Sequence, residues 1–262
     1  MKSVLKKIIF SLNLIGFDVF KFVSFIKGLP FFYRDFIKLK RNLKNDTDFP
    51  FGKLFPILNE RNSESGAMKS HYFQQDLFVA RKLFENKPIR HIDIGSRIDG
   101  FVAHVATFRE IEVFDIRPLE NNIKNIVFKQ ADLMQLPQNM IECCDSLSTL
   151  HVIEHFGLGR YGDPIDKDGH IKAINNLFLM LKKGGTFYFS TPIGKQRIEF
   201  NAHRVFSINY LLKIFQSKFQ IESFHFVDDN GDLYEDVNLD VPLIEQNFGC
   251  YYGCGIFILK KN

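Results

Sequence analysis

From Tyr72 to the end of the chain, short β-prone runs alternate with segments of helical period. Gln74 to Glu85 carries an apolar stripe of Leu77, Val79, Ala80, Leu83 and Phe84 at helical spacing. Ile89–Ile94, Ile111–Ile116, Ile126–Ala131, Ser146–Leu150 and Thr186–Ser190 read as five strands. Between them, Gly100–Phe108 and His170–Leu181 read as helices. The second of these carries Ile171, Ile174, Leu177, Phe178 and Leu181 on one face and is closed by Lys182-Lys183-Gly184-Gly185. Ser207 is placed to cap a helix that runs to about Phe219, and Ile221–Val227 and Gly255–Leu259 are the last strands. Strands that alternate with helices bury both faces of a mostly parallel sheet. Such sheets bind ligands beyond the carboxyl ends of their strands. The informative residues are therefore those that follow each strand.

After the first strand comes Asp93-Ile94-Gly95-Ser96-Arg97-Ile98-Asp99-Gly100, a tight glycine turn that brings backbone close to a ligand. The second strand ends at Asp115-Ile116, where an acid suits ribose hydroxyls. The third is followed by Asp132-Leu133, where a carboxylate suits an exocyclic amine. The fourth runs into LHVIEHFGLGRYGDP, with His151, Glu154 and His155. Histidines four apart beside a Glu match a zinc-hydrolase spacing. That motif needs a continuous helix, whereas Gly157 and Gly159 break one and His151 directly follows a strand. No metal is expected.

The order of these motifs resembles the class I S-adenosylmethionine-dependent methyltransferases over residues 72–262. The segments HIDIGSRIDGFVAHVATFREIEVFDIRP, LHVIEHFGLGRYGDPID and PIGKQRIEFNAHRVFS narrow the resemblance. They are similar to a domain family of unknown function, first catalogued in nematodes and found in bacteria near surface-polysaccharide genes. The resemblance implies a Rossmann-like, doubly wound α/β fold with a mostly parallel seven-stranded sheet and an antiparallel last strand. It implies S-adenosyl-L-methionine as cofactor, with Asp93, Gly95, Ser96, Arg97, Asp115, Ile116, Asp132, Leu133 and His151 around it. Arg97 and Asp99 stand where common members have glycine, which narrows room for the cofactor's methionine part. Asp99 is placed to cap the helix that follows, and Arg97 to pair with an anion or in an ion pair.

Within that frame, His155 is the candidate base for a hydroxyl acceptor and Glu154 its orienting partner, the alternative being that both brace the loop. Gly157, Gly159 and Gly162 suit a loop that closes over substrate. Arg160, Tyr161 and Asp163, with Lys195, Arg197, Asn201, His203 and Arg204 after the fifth strand, are candidate contacts to an anionic acceptor. The expected function is O-methylation of a sugar or glycolipid precursor. A non-catalytic S-adenosylmethionine- or nucleotide-binding subunit is the alternative, and a zinc hydrolase comes third.

Charge separates the N-terminus from the rest. Residues 1–45 hold ten Lys/Arg against Asp18 and Asp35, a surplus of +8, so the remainder carries −4 of the net +4. This argues for an interaction arm and against a uniformly basic nucleic-acid binder. Its cations alternate with Phe, Ile and Leu, as in a helix lying on a membrane or packing on protein. Lys6-Lys7 ahead of an apolar run also fits a signal peptide, but no small-residue cleavage site follows and Asp18 and Lys21 interrupt. The expected organisation is an arm over 1–45, a polar connector over 46–71 (Pro50, Pro56, the serine-rich run at 63–66) and the methyltransferase-like domain over 72–262. Four Cys without a C-x-x-C pair fit a reducing cytoplasm, at the inner membrane face if the arm binds lipid. Asp228–Phe248 carries seven acids and no Lys/Arg and reads as a solvated hairpin insertion, since its spacing misses a calcium loop.

Overall fold

A computed structural model describes residues 2–43, 51–58, 60–61, 66, 68–120, 122–136 and 138–262. Lys44, Pro50, Ser63 and Ser65, which belong to the arm and connector read above, lie outside the described residues. The described chain forms two compact units, residues 1–66 and 67–262.

The first unit contains α1 (Lys2–Leu14) and α2 (Val19–Asn42). Asp18 begins α2 by accepting from the Lys21 N–H at 3.0 Å. The second unit runs α3 (His71–Asn86), β1 (His91–Ile94), a π-turn over Ile98–Val102, α4 (Ala103–Ala106), β2 (Ile111–Asp115), β3 (Ile126–Gln130) and β4 (Cys144–Leu150). It continues with α5 (Gly169–Met180), β5 (Leu181–Ile193), the hairpin β6 (Arg197–Glu199) and β7 (His203–Val205), and α6 (Ile208–Phe215). β8 (Phe219–Val227), β9 (Leu233–Tyr234), α7 (Val241–Glu245) and β10 (Gly253–Lys261) complete it.

The main sheet has the order β3-β2-β1-β4-β5-β10-β8-β9. Neighbours from β3 through β5 are parallel, and β10 runs antiparallel between β5 and β8. This is the expected doubly wound arrangement of seven strands with an antiparallel last strand, extended by the two-residue β9. Strand alternation builds two cores. Ile92, Ile94, Phe187, Phe189 and Phe257 face α5 and α6, while Ile111, Val113, Tyr188, Ile256 and Ile258 face α3 and α4. The abundant Phe accounts for much of the first core, with Phe224 and Phe257 ring centroids 4.7 Å apart and Phe189 and Phe215 5.1 Å apart.

Several sequence expectations need correction. Leu77 and Phe84 are exposed, and Phe78 takes their place against the sheet beside Gln75 and Asp76. The α3 face turns inward around buried polar contacts, which a purely apolar count misses. The helix expected over Gly100–Phe108 is only one turn, because Gly100 adopts non-helical angles (φ −121, ψ −115). Asp99 caps nothing. Lys182–Gly185 do not end α5 but open β5, and α6 stops at Phe215 rather than Phe219. In the acidic insertion Asp228 accepts from the Asn230 and Asp232 N–H groups, Asp229 from those of Tyr251 and Tyr252, and Glu235 pairs with Arg81. These acids order the insertion rather than merely solvating it.

Burial also sets how the fold responds to acid. His71, His170 and His225 are pushed down to about 4 and His91 to about 3, first by desolvation of their charged forms. Each therefore stabilises the fold above the ordinary histidine value and loses that contribution as pH falls toward the folded value. Asp93 and Asp76 work in the opposite sense: burial raises them to about 7 and about 6, so they lose stability as pH rises. Four groups outnumber two between pH 4 and 6.5. We expect the urea midpoint to rise across that window, with the unfolded state binding more protons; a flat or falling profile would contradict this assignment.

Candidate active site

The carboxyl ends of β1, β2 and β4 and the loop after β3 enclose a cavity of about 540 Å³. Its position follows from the sheet: β1 pairs with both β2 and β4, so the helices that leave these strands part there. The floor is the turn after β1. Gly95 lies at φ +69, and a Cβ on it would meet Val152 Cγ1 at 2.7 Å. Glycine is thus required twice, by backbone and by neighbour. Asp93 does not reach the cavity. It is fully buried and accepts from the Ser96 N–H at 3.0 Å, the Ser96 hydroxyl at 2.7 Å and the Ser148 hydroxyl. Its role is to hold the turn that presents Gly95 and Ser96.

One end of the cavity joins Phe114, Ile116, Leu119, Phe128 and Leu133 with the carboxylates of Asp115 and Asp132. Asp132 accepts from the Met134 N–H at 2.9 Å through one oxygen. Asp115 is more engaged: both its oxygens accept from Arg117, Oδ1 from Nε at 3.0 Å and Oδ2 from Nη2 at 2.6 Å. Arg97 and Asp99 do not fill the opposite end. They pair with each other at 2.7 Å with largely exposed side chains and stand at the rim. Arg97 therefore forms an ion pair, with Asp99, and these largely exposed side chains do not supply the narrowing expected of them.

His151 and His155 lie past β4, His155 ending a 3-10 turn over Ile153–His155 and His151 preceding it, not on one face of a helix. His151 takes a left-handed backbone (φ +57) and its Nδ1 stands 3.0 Å from Glu154 Oε1. Burial pulls the Glu154 carboxyl up most strongly, but the hydrogen bond and charge of His151, with His155 and a backbone hydrogen bond, together outweigh it and the value is lowered. Burial alone would lower His151, but Cys254 and Glu154 beside it raise it well above the ordinary histidine value. Glu154 thus orients His151 rather than His155, from which it is 3.8 Å away. The His155 Nδ1–H donates to the Ala202 carbonyl at 2.7 Å. Its Nε2 has no hydrogen-bond partner among the described residues and carries the lone pair. Burial lowers the His155 pKa below 6.5, against the opposing pull of Glu154 and Ala202.

The remaining sequence candidates divide. Arg160, Tyr161 and Asp163 line the cavity, whereas Lys195, Arg197, Asn201, His203 and Arg204 do not. Asp163 organises its loop: Oδ2 accepts from the Gly157 and Gly159 N–H groups at 2.8 and 3.2 Å, and Oδ1 from Tyr161. The glycine loop is consequently pinned, with Gly157 packed against the Asp166 carbonyl. Arg204 is buried and donates to the carbonyl oxygens of Phe156 at 2.6 Å and Glu154 at 3.4 Å, and to those of Asp166 and Lys167. Arg197 pairs with Glu199 and lies over Tyr251. His203 packs on Tyr252, and Lys195 and Asn201 are exposed. What this hairpin contributes is its turn: the Ala202 carbonyl accepts from both His155 and Arg160.

Several lining residues escaped the sequence reading, among them Tyr72, Val152 and Arg117. Tyr72 enters from the first turn of α3, and Val152 stands between His151 and Ile153. Arg117 lies over the Tyr161 ring, 4.6 Å from its centroid. Of these three, only Arg117 left a sequence trace, two residues beyond an acid at a strand end.

A profile described as "Caenorhabditis protein of unknown function, DUF268" matches residues 102–237, which hold Asp115, Asp132, His151, Glu154 and His155. The chain belongs to this family. Solved structures give its architecture a wider context. The cyclase SpnF is 13% identical with a TM-score of 0.51, over 75% of this chain and 85% of its own. The 1,6-didemethyltoxoflavin-N1-methyltransferase of Burkholderia thailandensis, solved with 1,6-didemethyltoxoflavin and S-adenosylhomocysteine, is 11% identical with a TM-score of 0.52, over 74% and 79%. A putative sarcosine dimethylglycine methyltransferase from Galdieria sulphuraria is 11% identical with a TM-score of 0.50, over 71% and 84%. No curated protein matches. At these identities the likeness shows the fold: this DUF268 chain has the class I S-adenosylmethionine-dependent methyltransferase fold.

The buried clamp of Arg204 gives a direct test of its assignment. Arg204→Met strands the four loop carbonyls, and we expect a loss of about 3 kcal/mol in urea unfolding. Lys195→Ala should change stability by less than about 0.5 kcal/mol, as for other exposed sites. Equal effects from the two would return Arg204 to the substrate side.

Proposed function

We propose that this protein is an S-adenosylmethionine-dependent methyltransferase acting on a hydroxyl of a sugar or glycolipid precursor. The observation that carries the reading is the cavity itself. It has an apolar, acid-edged end at β2 and β3 and, at the other end, a histidine whose lone pair is left free. Ile116 and Leu133 would flank the adenine, Asp132 would meet its amine, Asp115 would hold the ribose, and Gly95 and Ser96 would lie along the methionine part. The exposed pairing of Arg97 with Asp99 leaves this space open. When bound, S-adenosylmethionine supplies an electrophilic methyl group.

The protein's own task is then to place an acceptor and take its proton. His155 does the second. Held by Ala202 through Nδ1, it presents Nε2 as the accepting atom, and Glu154 at 3.8 Å favours the imidazolium that forms. Bracing and base catalysis use different nitrogens of one ring. Arg160, over Tyr161 and tied to Ala202, offers its remaining N–H groups to an anionic acceptor. A sugar linked to phosphate meets that requirement.

A second reading has one observation in its favour. Arg117 already engages both oxygens of Asp115, as in a site that binds a nucleotide without turnover. Calorimetry with S-adenosylmethionine and S-adenosylhomocysteine separates the two. Binding is expected for the first reading, and methyl transfer to phosphosugar acceptors should follow; binding with no transfer selects the second. Absence of any binding removes both.

His155→Gln should lower kcat by about 10²–10⁴-fold, the range for lost general acid–base catalysis, while cofactor affinity changes little. Because the neutral ring is the active form and its pKa is depressed, kcat/KM should fall only as pH drops below 6.5. An unchanged kcat in the variant assigns His155 to the loop alone.

A further inference from the structure

The first unit is unlike the second in that its largest helix buries nothing: no residue of α2 is buried. Along it, Phe22, Ile26, Tyr33 and Ile37 are 51%, 50%, 54% and 47% exposed. At about 100° per residue they fall within about 60° of one another, so they form a single stripe. Lys27, Arg34, Lys38 and Arg41 follow on the adjoining flank of the helix. The far side of α2 is partly covered by its own unit. Gly28 lets Leu58 approach so closely that a Cβ there would lie 2.4 Å from the Leu58 carbonyl. Phe51 meets Phe36 edge-on at 5.4 Å, and Arg61 lies over Phe31. That packing leaves the stripe open, together with Phe20, Phe25 and Leu39 on other faces of the helix.

The two acids of residues 1–45 do not offset the charge of that segment. Asp18 is spent on the α2 N-cap, and Asp35 lies between Arg34 at 2.9 Å and Arg61 at 3.0 Å. Among the described residues, Lys7, Lys21, Lys27, Lys38, Lys40 and Arg41 form no ion pair beyond that of Lys21 with Asp18. We infer that the exposed stripe of α2, with its flanking cations, is a docking surface for an anionic lipid bilayer, with the helix lying in the plane of the headgroups.

Three features select lipid over a protein partner and the plane over a span. Of the ten basic residues in 1–45, eight are lysine. Protein interfaces deplete lysine and enrich arginine, whereas polybasic lysines flanking aromatic residues favour anionic headgroups. No single described helix is long and apolar enough to cross a membrane; only α1 and α2 taken together reach the length and composition of a span, and they are broken by a bend of 84°. Spread along α2, Lys21, Lys27, Arg34 and Lys38 would place several charges in hydrocarbon if it spanned. Lying flat, the same helix reaches about 36 Å along the surface.

The chain has no tryptophan, so one introduced residue reports unambiguously. F22W in the full chain is mixed with vesicles of phosphatidylcholine, alone or with about one third phosphatidylglycerol. We expect a blue shift with the anionic vesicles and partition more than tenfold stronger than onto phosphatidylcholine, reduced by added salt. Ile26→Asp with Ile37→Asp should abolish it, and Lys27→Glu with Lys38→Glu should lower it to the phosphatidylcholine level. Flotation of the unmodified protein on the same vesicles checks that the reporter has not created the binding. No shift and no flotation overturns the proposal. Emission already blue-shifted without lipid and indifferent to vesicles also overturns it, placing the stripe on a second copy or on the chain's own acidic 228–248 segment; light scattering distinguishes these two.

Discussion

The carboxylate of Asp93 is the contact on which the site is built. In the strand register it stands opposite Ser148, and the hydrogen bond it accepts from that hydroxyl adds to the backbone ladder between β1 and β4 at the point where the sheet reverses its winding. The same carboxylate gathers the Ser96 N–H and hydroxyl and closes the turn at Gly95. His91 extends this arrangement, with Ser146 at 2.8 Å and Ser148 at 3.1 Å from its ring nitrogens. Removal from water pushes this carboxyl up to about 7, and the three donors that converge on it oppose that rise. Loosening this carboxylate would let the two strands that flank the cavity, and the glycine floor between them, shift together.

The pocket is held on its far side by a second buried carboxylate. Glu154 anchors the ring of His151, which stacks at 5.5 Å on His71 and meets Tyr72 at 5.0 Å. Arg204 grips the backbone of the same segment. The residues of the LHVIEHF stretch thereby separate into a buried anchor, His151 with Glu154, and a working edge, His155. The spacing that suggested a metal site serves this division instead.

Much of this architecture was legible in the sequence because strand-helix alternation is a local property and each strand end carries its own marker. Asp115, Asp132 and the post-β4 histidines fall at the cavity for that reason. The rest depended on side-chain direction, which spacing does not encode. Arg204 is as basic as Arg160 in the sequence, yet one is swallowed by four carbonyls and the other opens on the cavity. Asp93 reads as a ligand because it precedes a glycine turn, yet the pleat points it inward. Arg117 was missed because an arginine after a strand carries no special weight until its partner acid is seen. Ala202 could not have been found at all, since its contribution is a backbone carbonyl placed by the β6–β7 turn.

One chain of contacts has a consequence for how ligands meet in the cavity. Asp115 holds Arg117, Arg117 lies on Tyr161, and Tyr161 meets the ring of His155 edge-on at 5.5 Å. If Asp115 holds a ribose as proposed, that ligand competes with the guanidinium lying on Tyr161 beside His155. Occupancy at one end would then be felt at the other, and coupling of this kind is reciprocal. Donor and acceptor would then not titrate as independent ligands, and the order in which they arrive becomes a property of four side chains in a row.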